Sequence, residues 1–351
     1  MKILINTPCL GLLGGVANHY LGLRDFWSAR VWYNTVGRRS QRRLSGWLWL
    51  PYDVVKFVAK LFWFRPDAVV LNPSLGKNAV KRDFLFLRLA VFFRRRVVLF
   101  FHGFNMQVGK EMDHEWLCRP INKCAGVFVL ADEFRTALRS WGVEVPIEIV
   151  TTKVDDNLLA GVTFKERERV RNVLFLARIT REKGIFIALE VFGRVQQRFP
   201  DLHLYVVGDG PALAEAKAQC ERGEIRNVHF TGRLSGQALT HIYGQSDLYL
   251  FPTYHEGMPT SVLEAMAFGL PVVTRPVGGL NDFFVNGEMG FLIDSLRPED
   301  FAEKLIYFVE HPEQVRSVSQ RNHAYATEHF MASRVALDFE RKVQSLLERQ
   351  K

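Results

Sequence analysis

Short apolar runs separated by longer stretches of mixed polarity recur along almost the whole chain, and this rhythm limits the possible folds more than any other feature. The runs fall at 2–6, 68–71, 97–101, 127–130 and 147–150, then at 173–177, 202–207, 228–231, 248–251, 271–274 and 291–293. Most show no alternation of polar with apolar residues, and such runs suit parallel strands covered on both sides. Strand–helix repetition of this kind predicts an α/β fold of doubly wound domains. A chain of 351 residues is long for one such domain and suits two of ~150–200 residues.

The rhythm pauses at 155–171, where Lys165, Glu166, Arg167, Glu168 and Arg169 crowd together. We place a linker there, with a first domain over 1–160, a second over 161–325 and a charged helical segment over 326–351. Residues 30–96 hold 15 Lys and Arg against 3 Asp and Glu, so the basicity of the chain needs an explanation inside the first domain. Cys9, Cys118, Cys124 and Cys220 have neither zinc-ligand nor disulfide-framework spacing and fit a reducing compartment. Asn6-Thr7-Pro8 ends the first apolar run too early for a signal peptide, so that run reads as a buried strand. Lys56, Lys60 and Arg88 break the longest apolar stretches, which stay short of the ~20 residues that span a bilayer. Together these features predict a cytoplasmic location.

Chemistry concentrates in the second half. Glu256-Gly257-Met258-Pro259-Thr260-Ser261-Val262-Leu263-Glu264 follows the apolar run 248–251 and reads as a strand, a tight loop and a helix starting near Pro259 or Thr260. The free N–H groups and positive dipole end of such a helix form a seat for an anion. Two carboxylates beside that seat would repel a phosphate unless each engages hydroxyls, which a sugar and a ribose offer. A second segment, Arg178-Ile179-Thr180-Arg181-Glu182-Lys183-Gly184, leaves the strand 173–177. The carboxyl end of a strand is where open α/β sheets bind ligands, and Arg178 with Lys183 suits a diphosphate, one as a fork and one as a mobile charge. Gly208 and Gly210 close a further strand with a turn that allows close backbone approach.

The stretch 251–273, two Glu residues with seven between inside a strand–loop–helix, resembles the signature of retaining glycosyltransferases of the GT-B fold, family 4 (glycosyl transferases group 1). That resemblance implies two Rossmann-like domains facing each other across a cleft, the second holding a nucleotide-diphosphate sugar and the first an acceptor. It implies that Arg178 and Lys183 hold the diphosphate and stabilise the leaving nucleotide. Glu256 would orient the donor hexose and Glu264 the ribose hydroxyls, beside the loop Gly257, Met258, Pro259 and Thr260. Leu234, in Thr231-Gly232-Arg233-Leu234, looks like the segment against the base, and Gly278-Gly279 with Asn281 and Asp282 like the loop beside the sugar. Gly14-Gly15, which opens no Gly-x-Gly-x-x-Gly fingerprint, resembles the loop approached by donor phosphates and acceptor. His102, ending the run 97–101, matches a residue that contacts the donor sugar. The terminal helical segment is expected to cross back to the first domain.

Transfer would retain configuration, with the acceptor attacking on the leaving-group face. The sequence has no Asp-x-Asp and no cluster with metal-ligand spacing, so no metal or other cofactor is expected. Arg38, Arg39, Arg42, Arg43, Trp47, Trp49, Lys56 and Trp63 mix bases with aromatics and suggest a surface for anionic membrane lipid. The apolar helix 84–93, with Arg94 to Arg96 behind it, reads rather as core capped by solvated arginines. A saccharide or lipid-linked saccharide acceptor, used in cell-surface polysaccharide or glycolipid synthesis at the inner membrane face, follows as the expected partner. A nucleotide-sugar epimerase of the same fold is one alternative. A non-enzymatic, basic nucleic-acid- or membrane-binding protein is another, but it leaves Arg178, Lys183, Glu256 and Glu264 without a role, and no nucleic acid is expected as partner.

Overall fold

The computed structural model describes residues 1–12, 14–37, 39 and 46–349, without the side chains of 46, 47 and 77–79. It divides into two units, Met1–Lys153 with Ala332–Lys351, and Val154–Met331. The divisions lie at 153/154 and 331/332, where the sequence reading set 160/161 and 325/326.

The first unit is built on six parallel strands: β1 (Lys2–Thr7), β2 (Arg30–Thr35), β3 (Ala68–Leu71), β4 (Arg96–Phe101), β5 (Gly126–Val129) and β6 (Ile147–Ile149). They lie in the order β2-β1-β3-β4-β5-β6, so the winding reverses between β1 and β3. Every residue of β3 and β5 is buried, as expected of apolar runs with helices on both faces. Helices α1 (Gly15–Leu23), α2 (Leu50–Trp63), α3 (Lys77–Phe92) and α4 (His114–Ile121) are among those that cover the sheet. The terminal helix Ala332–Glu348 joins this unit. Its Ala332, Val335 and Ala336 pack on Leu23 of α1, and Glu340 accepts hydrogen bonds from Ser28 Oγ and the Ala29 N–H.

Strand β2 has no counterpart among the apolar runs. It lies at the sheet edge, and its residues are exposed or half-buried except Asn34, so burial on both faces never selected a continuous apolar sequence. Its outward carbonyls are capped by α2: Lys60 Nζ donates to Tyr33 O at 2.6 Å and Lys56 Nζ to Thr35 O at 3.0 Å. Covering the edge this way removes a template for strand pairing with another chain.

The second unit repeats the architecture with β7 (Asn172–Leu176), β8 (His203–Val207), β9 (Val228–Gly232), β10 (Leu248–Phe251), β11 (Val272–Thr274) and β12 (Gly290–Leu292). All pairings are parallel. The order is β9-β8-β7-β10-β11-β12, the 3-2-1-4-5-6 order of dinucleotide-binding sheets, with its switch point between β7 and β10. Its helices include α5 (Ile185–Gln196), α6 (Gln237–Gln245) and α7 (Thr260–Ala267). The predicted doubly wound α/β class with two Rossmann-like units is therefore what the chain forms.

The stretch read as a linker is partly interior. Arg167 is 7% exposed, and its guanidinium donates to Gly244 O at 2.9 Å, Tyr243 O at 3.2 Å and Phe268 O at 3.2 Å. These carbonyls end α6 and α7, where the last turn of a helix leaves acceptors unfilled. A charge run that looks solvated in sequence thus holds an arginine tying two helix ends together.

Candidate functional site

The loops that leave β7 and β10, on either side of the switch point, are joined by an ion pair. Lys183 Nζ lies 2.5 Å from Glu256 Oε1, and Thr253 Oγ1 donates to the same oxygen at 3.1 Å. The backbone stitches the two loops as well, through Tyr254 N–H to Glu182 O at 2.9 Å. Their approach is so close that a Cβ on Gly184, which sits at φ +78°, would stand 2.0 Å from Pro252 O. Only glycine satisfies both the left-handed backbone and that contact. Glu256 is 13% exposed and Lys183 30%, so solvent reaches both partners of the pair.

Glu264 sits on α7, and its Oε2 accepts from the Tyr243 hydroxyl at 2.8 Å. Burial, then the Glu264 carboxylate, holds the Tyr243 phenol well above its ordinary pKa, so it stays a proton donor to Glu264. Tyr249, rising from β10, meets Leu176 O at 2.8 Å and Ser261 Oγ at 2.7 Å. These two buried tyrosines fix the first turns of α7. Pro259 caps that helix with no side-chain hydrogen bond, and although Val262 N–H donates to Pro259 O, the N–H groups of Thr260 and Ser261 and the positive dipole end remain available to an anion. Met258 and Pro259 are buried beneath them, and Gly257 and Thr260 are half-buried.

Arg178 is exposed and, among the described residues, makes no ion pair or hydrogen bond through its side chain. The structure thus gives the two predicted diphosphate cations different states, one free and one held by a carboxylate. Gly208, at φ +139°, is required by the fold: its Cβ would lie 1.9 Å from Ala177 O. The approach that this glycine permits is to the neighbouring loop's backbone. Gly278, at φ +50°, lies equally close to Gly257 O, at 2.1 Å, and the Gly279 N–H donates to that oxygen at 2.8 Å. Leu234 follows β9 and is half-buried.

Gly14, Gly15 and His102 belong to the first unit. A Cβ on Gly14 or Gly15 would meet nothing within 4 Å, so packing among the described residues does not account for either glycine. His102 leaves β4 and packs its ring on Phe100, centroids 3.7 Å apart, and edge-on to His19 at 4.9 Å. Both His19 ring nitrogens and His102 Nε2 are buried without a hydrogen-bond partner among the described residues. Burial and then Lys153 lower the His19 pKa to about 3. Burial and then His19 hold His102 well below its ordinary value. Both rings are neutral at pH 7, so His102 offers a hydrogen bond and no charge. His19 carried no sequence signal beyond following the glycine pair.

Of the basic–aromatic cluster, Arg38, Arg42, Arg43 and the Trp47 side chain lie outside the described residues. Two further members are turned inward. Arg39 pairs with buried Asp53, with its guanidinium over Trp49 and Tyr52, and Lys56 caps β2. The outer face of α2 is instead apolar: Tyr52, Val55, Phe62 and Trp63 are all exposed, Trp63 at 84%, as is Leu48 in the turn before it. Among the described residues no helix is long and apolar enough to cross a membrane.

Residues 163–324 match the family model of glycosyl transferases group 1. The chain is 32% identical over 125 residues to 2-deoxystreptamine N-acetyl-D-glucosaminyltransferase of Niallia circulans, covering 35% of this chain and 32% of that protein. It is 26% identical over 206 residues to alpha-D-kanosaminyltransferase of Streptomyces kanamyceticus, covering 55% and 53%. The match thus spans a third to about half the length of these curated relatives. Among solved structures, Anabaena HepE in complex with UDP and glucose superposes with a TM-score of 0.74 at 18% identity, covering 98% of this chain and 100% of that one. At that identity the likeness speaks for the fold.

Proposed function

From a GT-B fold whose residues 163–324 fall within the glycosyl transferases of group 1, we propose that this protein is a retaining glycosyltransferase. It moves a hexose-type sugar from a nucleotide-diphosphate donor to a saccharide or lipid-linked saccharide. The observation that carries the reading is the Lys183–Glu256 pair at the switch point of the second sheet, one helical start away from Glu264. A relative's solved complex with UDP and glucose supports the same class of donor.

In this account the diphosphate sits between Arg178, Lys183 and the open N-terminus of α7. Its arrival draws the Lys183 ammonium from Glu256, freeing that carboxylate to accept from hydroxyls of the hexose. Glu264, steadied by Tyr243, accepts from the ribose. As the bond between the anomeric carbon and the diphosphate oxygen breaks, negative charge grows on the leaving phosphate, where the two cations and the helix dipole offset it. The acceptor oxygen forms the new bond on the leaving-group face and loses its proton toward the departing phosphate. His102, neutral, hydrogen-bonds the reacting sugar. The charge assignment is complete with these groups, and the proposal gives no step to a metal. The exposed apolar face of α2 supports a peripheral site at the inner face of a membrane, with the acceptor drawn from polysaccharide or glycolipid synthesis.

The test is a panel of UDP-, GDP-, ADP- and dTDP-sugars read by thermal shift and by slow donor hydrolysis. Glu264→Ala and Glu264→Gln serve as controls, the latter keeping an acceptor for Tyr243. One nucleotide should stabilise the wild type and not Glu264→Ala. Failure of every donor to bind would overturn the reading.

A further inference from the structure

Away from the glycine loop and His102, the first unit carries a groove of about 590 Å³ between α3 and α4. Both helices present the same pattern to it: Leu87, Arg88, Val91 and Phe92 from α3; Glu115, Trp116, Arg119 and Pro120 from α4, with Lys123 just beyond. Residues i, i+1, i+4 and i+5 share one helix face, so two faces confront each other across the space. The two helices also meet through Phe84 against Trp116, ring centroids 5.3 Å apart. Arg88, Arg119 and Lys123 are exposed and, among the described residues, have no carboxylate partner.

Two acids also line the groove. Asp113 is occupied as the cap of α4, accepting from the Trp116 N–H at 3.1 Å, and Glu115 lies in the first turn. Arg119 and Lys123 stand in and past the last turn of α4, so charge is separated along that helix and its cationic end has no carboxylate partner among the described residues. The apolar wall does not stop at the rim. Phe92, 77% exposed, touches Phe93 at 5.2 Å, and Phe93 touches Phe62 of α2 at 4.9 Å. The outer stripe of α2 and the groove are thus one aromatic surface, and the groove carries three bases that have no carboxylate partner among the described residues.

We propose that this groove binds the headgroup of an anionic phospholipid, with its phosphate on Arg88, Arg119 and Lys123 and its first acyl segment along Phe92, Val91 and Trp116. The occupant follows from the combination: an apolar wall and rim beside cations that lack a carboxylate partner among the described residues match an amphiphile that carries a negative head. A free anion would have no use for the aromatic wall. This assignment rests on the peripheral membrane reading above and sharpens it. Charge recognition moves from the sequence cluster around residues 38–56, two of whose bases the fold consumes, to α3 and α4.

Vesicle co-sedimentation of the full chain tests it, with phosphatidylcholine alone against phosphatidylcholine containing phosphatidylglycerol, at low salt. The variants are Arg88→Ala/Arg119→Ala/Lys123→Ala for the groove and Phe62→Ala/Trp63→Ala for the α2 stripe. A base near an anionic surface is worth roughly fivefold in binding, so the groove variant should lose on the order of a hundredfold on anionic vesicles at an unchanged melting temperature. The stripe variant should weaken on both vesicle types and keep the preference for anionic lipid. A groove variant that binds anionic vesicles like the wild type overturns the groove while leaving the membrane reading intact. Wild type that sediments with neither vesicle overturns the membrane reading itself. Stabilisation by inorganic phosphate through the same three residues, with nothing added by vesicles, would make this a free-anion site and end the lipid assignment.

Discussion

At the scale of single residues, the glycines separate into two kinds that sequence cannot tell apart. Gly208 and Gly184 are demanded by backbone approaches of 1.9 and 2.0 Å at positive φ, whereas Gly15 faces open space. Gly208→Ala should therefore destabilise the second unit by ~2–4 kcal/mol, since strain and overlap add. Gly15→Ala should leave the melting temperature nearly unchanged and still lower transfer at least tenfold, if a ligand uses the space where its methyl would stand. Equal melting losses in both variants would refute the distinction. The acids and bases of the site were legible at this scale because their spacing within a strand–loop–helix is specific. What remained hidden was their present pairing. Nothing in the sequence says that Lys183 rests on Glu256 while Arg178 stands free, because that depends on two loops 73 residues apart meeting at the switch point.

Most elements were legible in proportion to their burial; the edge strand β9 is the exception, with no residue fully buried yet a run of its own through Val228 and Phe230. Strands covered on both faces announce themselves as apolar runs, and all eleven runs became strands within a residue or two at their ends. The edge strand β2 was missed because half of it meets solvent or lysine stems. The polar stretch around Arg167 was misread for the converse reason: a charged side chain can be interior when it serves helix ends. Arg167→Ala would strand the carbonyls of Gly244 and Phe268, each buried acceptor left unfilled costing about 1–3 kcal/mol, and would leave Tyr243 O with the Ser246 N–H alone. We expect a loss of ~3–5 kcal/mol by chemical denaturation of the second unit. Because Tyr243 also orients Glu264, nucleotide affinity measured on the surviving folded fraction should fall too. A variant that unfolds earlier yet binds donor as tightly as the wild type would show that Arg167 supports the helices without tuning the site.

On the scale of the whole molecule, the two units should answer differently to acid, and the distribution of tryptophan makes this measurable. All seven tryptophans lie between Trp27 and Trp141, in the first unit, so indole emission reports that unit while far-ultraviolet circular dichroism reports both. His19, with a folded pKa of about 3 against 6.5 in the open chain, binds fewer protons folded than unfolded throughout that window, and His102 shifts in the same direction. Their stabilising neutral state is intact above pH 6.5, and stability is lost as pH falls from there toward the folded values. His19 costs about 1.4 kcal/mol per pH unit once well below 6.5, roughly 2 kcal/mol at pH 5, and His102 adds to this in the same direction. In the second unit burial raises the pKa of Asp247, a shift of opposite sign that favours the folded state on acidification. Between pH 7 and 5 the emission-detected melting temperature should therefore drop by several degrees, while the dichroism trace splits into an early and a late transition. His19→Phe should flatten the emission slope and leave the late transition where it was. Two probes that fall together at every pH would mean that the units melt as one, and that the histidine pair governs the stability of the whole chain rather than of the half that holds it.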